Sequence, residues 1–265
     1  MEDGMTGRII EAARAAGELL LRAAASGVSI SEKGSGHELV TSADLASQEL
    51  LGTLLGRIAP DACFMGEEGW DKTIPEGPCW IVDPLDGTNN YAHGYPVWSV
   101  SVAFSPGDGT ISDACVFDPT RDEVFSASQG KGAFLNGKPI RATDAGALSS
   151  CIFATGFPYD RSLSSPGADL SVLDHFLRRV QGIRRGGSAA LDLAYVASGR
   201  LDGFWEEHLK PWDMAAGVLL VTEAGGKATD YHGGCWSVAS EGVAASGGRI
   251  HGELLKGISR GNGDT

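Results

Sequence analysis

The sequence Trp80-Ile-Val-Asp83-Pro-Leu-Asp86-Gly87-Thr88-Asn-Asn90 carries two carboxylates three residues apart, directly after a short apolar run. This pattern predicts a buried strand that delivers ligands into a loop. Two like charges held close together raise a pKa or require a cation, and a divalent metal ion satisfies them at the lower cost. Pro84 stiffens the turn, so the Leu85 carbonyl can point inward beside the carboxylates. All-oxygen ligands of this kind suit Mg²⁺, Mn²⁺ or Ca²⁺ rather than zinc.

The residues after the aspartates favour an anion next to the metal. Gly87 leaves space for a ligand, and Thr88 begins a segment that can turn helical with its free N–H groups facing the same place. The alternative is a solvated turn, because Asp-Pro and Asp-Gly are common turn pairs. A calcium-binding hand is excluded, since its third position needs an oxygen-bearing side chain and here it is Leu85.

Length and composition narrow the class of protein. The chain has 265 residues, a net charge of −13 and 42% hydrophobic residues, as expected for one large α/β domain or two closely packed subdomains. The negative charge disfavours a general nucleic-acid or anionic-membrane surface. Five scattered cysteines without C-x-x-C spacing predict small, reduced core residues and a cytoplasmic protein. The N-terminus lacks the long apolar run of a signal peptide or membrane span.

Three further acids are candidates for the same site, each with a structural alternative. Glu67, in Gly66-Glu-Glu-Gly69, lies sixteen residues before Asp83, a spacing that lets two neighbouring strands present acids together. Asp44 ends a Thr-Ser-Ala-Asp capping box, and its other possible role is to accept a hydrogen bond from Thr88. Asp213 is either a first-turn helix acid or a metal ligand.

The remaining patterns predict an α+β architecture. Helices are expected over 5–25, after Thr41, over 170–180, over 189–198 capped by Ser188, and over 211–222. Strands are expected at 97–104, 111–117, 123–128, 133–135, 151–155 and 201–205, with Asn136-Gly137 as a hairpin turn. Consecutive strands without helices predict an antiparallel sheet. A boundary near 142–150 divides an N-terminal subdomain, 1–145, which carries most metal ligands, from a C-terminal one, 146–265, which completes one catalytic unit.

Four motifs in order resemble the inositol monophosphatase family, the lithium-sensitive, Mg²⁺-dependent phosphatase superfamily. They are Gly66-Glu-Glu, Trp80-Ile-Val-Asp-Pro-Leu-Asp-Gly-Thr-Asn-Asn-Tyr91, Gly156-Phe-Pro-Tyr159 and Trp212-Asp-Met-Ala-Ala-Gly217 with Glu223-Ala-Gly-Gly226. The resemblance spans about Lys33 to Gly226. One departure is Glu38, where the family's Asp-Leu-Val-Thr pattern has Asp, and this puts the positioning of Asp44 and Thr88 in doubt but not the metal ligands.

The resemblance implies a layered α-β-α-β-α fold of the inositol monophosphatase and fructose-1,6-bisphosphatase type and a homodimer. It also implies two to three Mg²⁺ ions, with Mn²⁺ as a substitute and Li⁺ as an inhibitor. By this match Glu67, Asp83 and the Leu85 carbonyl hold the first ion, and Asp83, Asp86 and Asp213 hold the second. Gly87 and Thr88 would bind phosphate, and Thr88, backed by Asp44, would orient the attacking water. The sugar or inositol pocket would be lined by Ala189 and Glu206, beside Asp213.

The function implied is Mg²⁺-dependent hydrolysis of a small phosphorylated polyol, and myo-inositol 1-phosphate is the favoured substrate. Fructose 1,6-bisphosphate or another sugar or nucleotide phosphate is the alternative within the superfamily. A second hypothesis is a regulatory protein that keeps the fold but acts through RNA or a transcription complex. The net charge argues against it, whereas a local basic cluster argues for it: Arg178, Arg179, Arg184 and Arg185.

Overall fold

The computed structural model describes residues 4–26, 30–33, 38–70, 73–158 and 170–261. Its α-helices are α1 (Met5–Ser26), α2 (Ser42–Ile58), α3 (Thr88–Ala92), α4 (Ser171–Leu177), α5 (Ala189–Ala197), α6 (Pro211–Glu223) and α7 (His251–Gly261). Its first nine strands are β1 (Ile30–Lys33), β2 (Glu38–Thr41), β3 (Cys63–Gly66), β4 (Cys79–Asp86), β5 (Ser99–Ser105), β6 (Asp113–Asp118), β7 (Glu123–Ser128), β8 (Gly132–Leu135) and β9 (Lys138–Pro139). The remaining five are β10 (Ile152–Thr155), β11 (Gly182–Arg184), β12 (Gly203–Glu207), β13 (Lys227–Thr229) and β14 (Gly242–Ser246).

Seven strands form the larger sheet, in the order β3-β4-β5-β6-β7-β8-β9. From β4 onward each strand pairs antiparallel with the next, which confirms the predicted antiparallel sheet. The predicted hairpin is also present, because Leu135 pairs with Lys138 across Asn136 and Gly137, both of which have positive φ. Only the pair β3–β4 is parallel within the described part of this sheet.

Strand β4 is buried along its whole length because both of its faces are covered. Side chains alternate between the two faces of a strand. Trp80 and Val82 therefore join the apolar core beneath α1 and α2, whereas Cys79 and Ile81 join the core between the two sheets. This explains why the segment is a continuous apolar run rather than an alternating one.

The smaller sheet has the order β11-β10-β12-β14-β13 and contains both parallel and antiparallel pairs. Helices α1 and α2 contact the outer face of the larger sheet, and α6, paired with α5, lies against its inner face. Helices α5 and α6 also contact one face of the smaller sheet, and α4 and α7 cover its other face. The layers are therefore α-β-α-β-α, as predicted. None of the described helices has the length and apolar character needed to cross a membrane.

Several element boundaries differ from the predicted ones. The helix expected over 170–180 is the shorter α4, and the strand expected at 201–205 is β12, displaced toward the C-terminus so that Glu206 lies within it. The prediction of core cysteines is wrong for Cys63 and Cys235, which are exposed, and right for the other three, which are buried. All five are free thiols.

The predicted boundary near residue 145 lies between β9 and β10, the last strand of the larger sheet and the first of the smaller one. Helix α6 packs on strands of both sheets, so one apolar core is shared across this point. The division into 1–145 and 146–265 stays a prediction.

Candidate active site

The ends of β3 and β4 bring two of the predicted acids side by side. The strands run parallel, with Gly66 opposite Val82, so Glu67 and Asp83 leave the same edge of the sheet next to one another. The register of β4 against β5 shifts between Asp83 and Asp86. In this irregular turn the Leu85 N–H donates to Asp83 Oδ1 at 2.9 Å, which fixes the carboxylate.

Three carboxylates meet at this point. Asp83 and Asp86 are 2% and 8% exposed, and Asp213 is partly buried. One oxygen from each of the three lies within 4.8 Å of the others. Asp213 stands in the first turn of α6, where its Oδ2 accepts from the Lys210 N–H at 2.7 Å. Asp213 is therefore the predicted first-turn acid of α6 and also joins the acidic cluster, and its role as a metal ligand stays a prediction.

Asp86 is held by the start of α5. Its Oδ2 accepts from the Ser188 hydroxyl and from the Ala190 N–H, the latter at 2.9 Å. Ser188 is also the predicted N-cap of the helix, since its hydroxyl accepts from the Leu191 N–H. Burial raises the pKa of Asp86 to about 6 in spite of these donors. The partial positive charge of the helix N-terminus works in the same direction as the donors.

The acidic cluster has the chemistry of a divalent-metal site. Burial raises the pKa of Asp83 well above its usual range, and the neighbouring charges of Glu67, Asp86 and Asp213 raise it further. Burial and Asp86 likewise raise the pKa of Asp213. Carboxylates in this position either take up protons or share a cation. Because every ligand offered is a hard oxygen, the set fits Mg²⁺ or a similar ion.

Thr88 and Asp44 form a hydrogen-bonded pair behind the cluster. The Thr88 hydroxyl lies 2.8 Å from Asp44 Oδ1 and 3.0 Å from the Leu85 carbonyl oxygen. The other oxygen of Asp44, Oδ2, accepts from the backbone N–H and the hydroxyl of Thr41 in the predicted capping box. Asp44 therefore serves both of the roles that the sequence left open.

Gly87 lets the backbone of the turn lie close to the Val97 carbonyl. It precedes α3 with φ of 94° and ψ of 35°, a left-handed conformation that favours glycine. A Cβ at this position would lie 2.9 Å from the Val97 carbonyl oxygen. The turn is also anchored by Asn90, whose side-chain amide donates to the carbonyls of Val97 and Gly186.

These elements surround a cleft of about 1010 Å³. Its lining includes most of the predicted site residues: Glu67, Asp83, Leu85, Asp86, Gly87, Thr88, Glu206 and Asp213. Burial raises the pKa of Glu206 to about 8, although Arg185 opposes the shift. Gly156 lies directly against the Glu206 carboxylate, where a Cβ would collide with it. Ala189 is buried at the first position of α5, and its N–H faces Asp86.

Some contributors escaped the sequence analysis. Several hydrogen bonds that hold the site join segments far apart in the chain, so no local pattern predicts them. They run from Ser188 and Ala190 to Asp86 and from Asn90 to Gly186. The aromatic wall formed by Trp70 and Trp212, whose rings are 5.1 Å apart, was missed as well. Tyr159 of the third motif lies outside the described residues, as does the side chain of Glu38.

The basic cluster is largely exposed. Arg178 pairs with Asp174 on α4, and Arg179 donates to the His175 carbonyl. Arg184 and Arg185 are exposed at and just beyond the end of β11.

Comparison with known proteins adds an independent line of evidence. The model of the inositol monophosphatase family matches residues 2–261. An inositol-1-monophosphatase of a Synechocystis species is 40% identical over 233 residues, which are 87% of this chain and 80% of that protein. Nus factor SuhB of Pseudomonas aeruginosa is 42% identical over 230 residues, 84% of each chain. The crystal structure of extragenic suppressor protein suhB from Bartonella henselae superposes with a TM-score of 0.87 at 38% identity, covering 96% of this chain and 98% of that one.

Proposed function

The chain belongs to the inositol monophosphatase family, and from this premise we propose that it hydrolyses small phosphate monoesters, myo-inositol 1-phosphate first among them. The observation that carries the proposal is the meeting of Asp83, Asp86 and Asp213 beside the Thr88–Asp44 pair in one cleft. The polyol leaving group and the reliance on metal are part of the proposal.

The first metal ion would be held by Glu67, Asp83 and the Leu85 carbonyl, and the second by Asp83, Asp86 and Asp213. When bound, the ions supply Lewis-acid chemistry, which activates water and neutralises charge on the leaving oxygen. The protein's task is to fix these ligands. Asp86 is fixed by the start of α5, Asp213 by the Lys210 N–H and Asp83 by the Leu85 N–H.

Thr88 would orient the attacking water. The fully buried Asp44 would accept a hydrogen bond from the Thr88 hydroxyl, which leaves the lone pairs of Oγ1 directed elsewhere. An oxygen whose proton is already donated can accept from a water molecule. The backbone N–H groups of Gly87 and Thr88 would hold the phosphate, because the tight turn and the start of α3 leave such groups free of partners within the helix.

Glu206 would accept hydrogen bonds from the hydroxyls of the polyol. Ala189, predicted at the same pocket, is buried with its N–H facing Asp86 and is not among the residues that line the cleft. Glu206 lines the cleft, and the absence of a side chain at Gly156 leaves room for its carboxylate. A compact hydroxylated leaving group matches this polar end of the cleft, and fructose 1,6-bisphosphate or a nucleotide phosphate is the alternative.

Phosphate release from a substrate panel tests the proposal. The panel contains myo-inositol 1-phosphate, fructose 1,6-bisphosphate, histidinol phosphate, NADP and 3′-phosphoadenosine 5′-phosphate, each with Mg²⁺, with Mn²⁺, with Mg²⁺ plus Li⁺, and with EDTA. We expect inositol phosphate to give the highest kcat/KM and EDTA to abolish release. A different leading substrate would reject only the pocket assignment, and release that survives EDTA would reject the metal site.

A regulatory role is the second candidate, because several relatives carry the name Nus factor SuhB. The exposed arginines at the end of β11 and after α4 are the surface available for a nucleic acid or protein partner. An electrophoretic shift with RNA at physiological salt tests it, since phosphate contacts lose affinity steeply as salt rises. Binding that disappears above low salt would count against this role. The expected homodimer is tested by sedimentation of the same preparation.

A further inference from the structure

Two cysteines face each other across the only parallel strand pair of the described larger sheet. Cys63 opens β3 and Cys79 opens β4, and the register places them directly opposite one another. Side chains of directly paired residues lie on the same face of a sheet. Cys63 is exposed, whereas Cys79 is 4% exposed and joins the core beside Met65 and Ile81.

The two thiols are close enough to interact. Neighbouring strands lie about 4.8 Å apart, and disulfides join Cα atoms that are about 4.4–6.8 Å apart. The charge of Cys63 contributes to raising the pKa of Cys79, and the Met65 N–H of β3 points to the Cys79 sulfur, so this sulfur lies against β3. Burial is the larger cause and brings the pKa of Cys79 to about 11.

The surroundings allow the thiols to approach further. Strand β3 is the terminal strand of the sheet, so its first residue is held on one side only. Cys79 borders a cavity of about 540 Å³, which gives its side chain space to change rotamer. The Cys63 N–H donates to the Pro78 carbonyl at 2.9 Å, which keeps the starts of the two strands aligned.

We propose that Cys63 and Cys79 form a redox-active dithiol that closes to an intramolecular disulfide by exchange with a low-molecular-weight disulfide such as oxidised glutathione. The exposed Cys63 thiolate attacks one sulfur of glutathione disulfide, which forms a mixed disulfide and releases one glutathione thiolate. Cys79 then gives its proton to solvent, and its thiolate attacks the Cys63 sulfur. The mixed disulfide breaks, the second glutathione leaves, and the two protein thiols are oxidised as one glutathione disulfide is reduced to two thiols.

The raised pKa of Cys79 fixes the order and the pace of these steps. A thiol that is largely protonated attacks slowly, so Cys79 is the resolving residue and not the first to react. The mixed disulfide at Cys63 therefore accumulates before the ring closes.

The crosslink would act on the candidate active site through the strands that bear it. Glu67 directly follows β3, and Asp83 lies in β4 one position beyond the last residue paired with β3. Drawing the start of β3 toward β4 changes the angle at which Glu67 leaves the sheet, and this consequence rests on the proposed function. We expect oxidation to lower kcat/KM for the leading phosphate ester at least threefold, with full recovery on reduction.

The test first measures whether the disulfide forms and then whether it changes phosphatase activity. The full chain is equilibrated in glutathione buffers of increasing oxidised fraction, quenched with an alkylating reagent and analysed by intact mass and peptide mapping. We expect a species that, after alkylation in denaturant, carries two alkyl groups fewer than the fully reduced protein, with the peptides containing Cys63 and Cys79 joined. Cys63→Ser, a surface change, should abolish it, whereas Cys235→Ser, which removes the other exposed thiol, should leave it unchanged.

Three outcomes would overturn the proposal: a mixed disulfide at Cys63 that never closes, a crosslink that maps to other cysteines, or a crosslinked species that persists in Cys63→Ser. If the crosslink forms without changing kcat/KM, the dithiol stands, and only its expected effect on the candidate active site is rejected. Since the mass measurement needs no turnover, a reduced protein that is inactive on every phosphate ester would reject the proposed function and leave the dithiol standing.

Discussion

The hydroxyl of Thr88 lies 2.8 Å from a carboxylate oxygen of Asp44, a residue 44 positions earlier in the chain. Asp44 is fully buried, so it reaches the cleft only through this hydroxyl. The pair links the capping box of α2 to the first turn of α3. The Thr88 oxygen is held between Asp44 Oδ1 and the Leu85 carbonyl oxygen, and such a held position is what the proposed water-positioning role requires.

Thr88→Ala should therefore lower kcat by about a hundredfold or more, the range seen when a proton-handling group is lost. KM should change little, because the backbone N–H of residue 88 is retained. Thr88→Ser keeps the hydroxyl and should recover most of the rate. Steady-state kinetics on the leading phosphate ester measure both constants, and an unimpaired Thr88→Ala would remove the residue from the mechanism.

Asp213→Asn should lower kcat roughly a hundred- to a thousandfold. The amide oxygen can still accept from the Lys210 N–H, so the start of α6 is preserved while one negative charge is lost from the cluster. By the proposed function, the metal held by this cluster would supply several kcal/mol of transition-state stabilisation, and losing it corresponds to a rate roughly a hundred to a thousand times lower. Glu241→Gln, which removes an equal charge from the same cleft, is the matched control and should stay near wild type. Near-normal turnover by a folded Asp213→Asn protein would contradict the assignment.

Stability in EDTA should fall as the pH rises. The folded pKa values of Asp86, about 6, and Glu206, about 8, exceed their usual values of 3.8 and 4.5. The folded state therefore holds more protons than the unfolded state between pH 4 and 8, and stability is lost across that window. Protons also compete with metal for these carboxylates, so Mg²⁺ should raise Tm more at pH 8 than at pH 5.5.

Asp83→Asn separates the effect of charge repulsion within the acidic cluster from the effect of metal binding. The asparagine oxygen can still accept from the Leu85 N–H, while the repulsion within the cluster is relieved. In EDTA at pH 8 the variant should melt above wild type, and Mg²⁺ should add little to its Tm. Thermal melts with and without metal decide this, and a full Mg²⁺ response in Asp83→Asn would exclude Asp83 as a ligand.

A buried histidine should make the smaller sheet sensitive to acid. His251 is 1% exposed, with Thr229 and Ser246 at its two ring nitrogens, and burial lowers its pKa from 6.5 to about 4. Because the unfolded chain binds this proton first, stability present above pH 6.5 is lost as the pH falls toward 4. The loss should reach about 2 kcal/mol at pH 4.5. Glu206 and Asp86 shift stability in the opposite direction over this range in both wild type and His251→Gln, so the test is the difference between the two proteins. Denaturant unfolding in EDTA at pH 7 and 4.5 should show a change in unfolding free energy that is about 2 kcal/mol less favourable in wild type than in His251→Gln. An equal change in both proteins would refute this role.

The contact between α5 and α6 should tolerate no added methyl group. A Cβ at Gly217 would collide with the Leu193 side chain, whereas one at Gly52, inside α2, meets nothing nearer than Phe64 at 4.0 Å. Gly217→Ala should cost about 1–3 kcal/mol of unfolding free energy through overpacking. Gly52→Ala should instead add up to about 1 kcal/mol through helix propensity. Denaturant titrations of both variants provide the comparison, and stabilisation by Gly217→Ala would mean that the helices can separate at no cost.

Local patterns in the sequence predicted the buried strand that carries Asp83, the antiparallel arrangement of the strands that follow it, and the Asn136-Gly137 hairpin. Each depends on residues adjacent in the chain, and each is present in the structure. The alternatives for Asp44 could not be resolved in this way because both were true. Asp213 caps its helix and also joins the acidic cluster, and its role as a metal ligand stays a prediction. A carboxylate has two oxygens and can cap a helix with one while facing a site with the other.

The features that escaped prediction have weak local signals or none. Strands β13 and β14 are short and β14 is rich in small residues, so no strong period marks them. Helix α7 was also missed. The exposure of Cys63 follows from its place at the start of a terminal strand, which only the sheet order reveals.

The fixing of Asp86 by α5 also constrains the order of events during synthesis. The Ala190 N–H that holds this carboxylate lies 104 positions later in the chain, and Asp213 comes later still. A nascent chain that has emerged only through the larger sheet carries its first acids without the groups that hold them. Asp83, Asp86 and Asp213 can assemble only after α6 has emerged from the ribosome. In translation-arrested chains of increasing length, metal binding by this cluster would therefore appear only once α6 is complete, and it would report that the chain has folded.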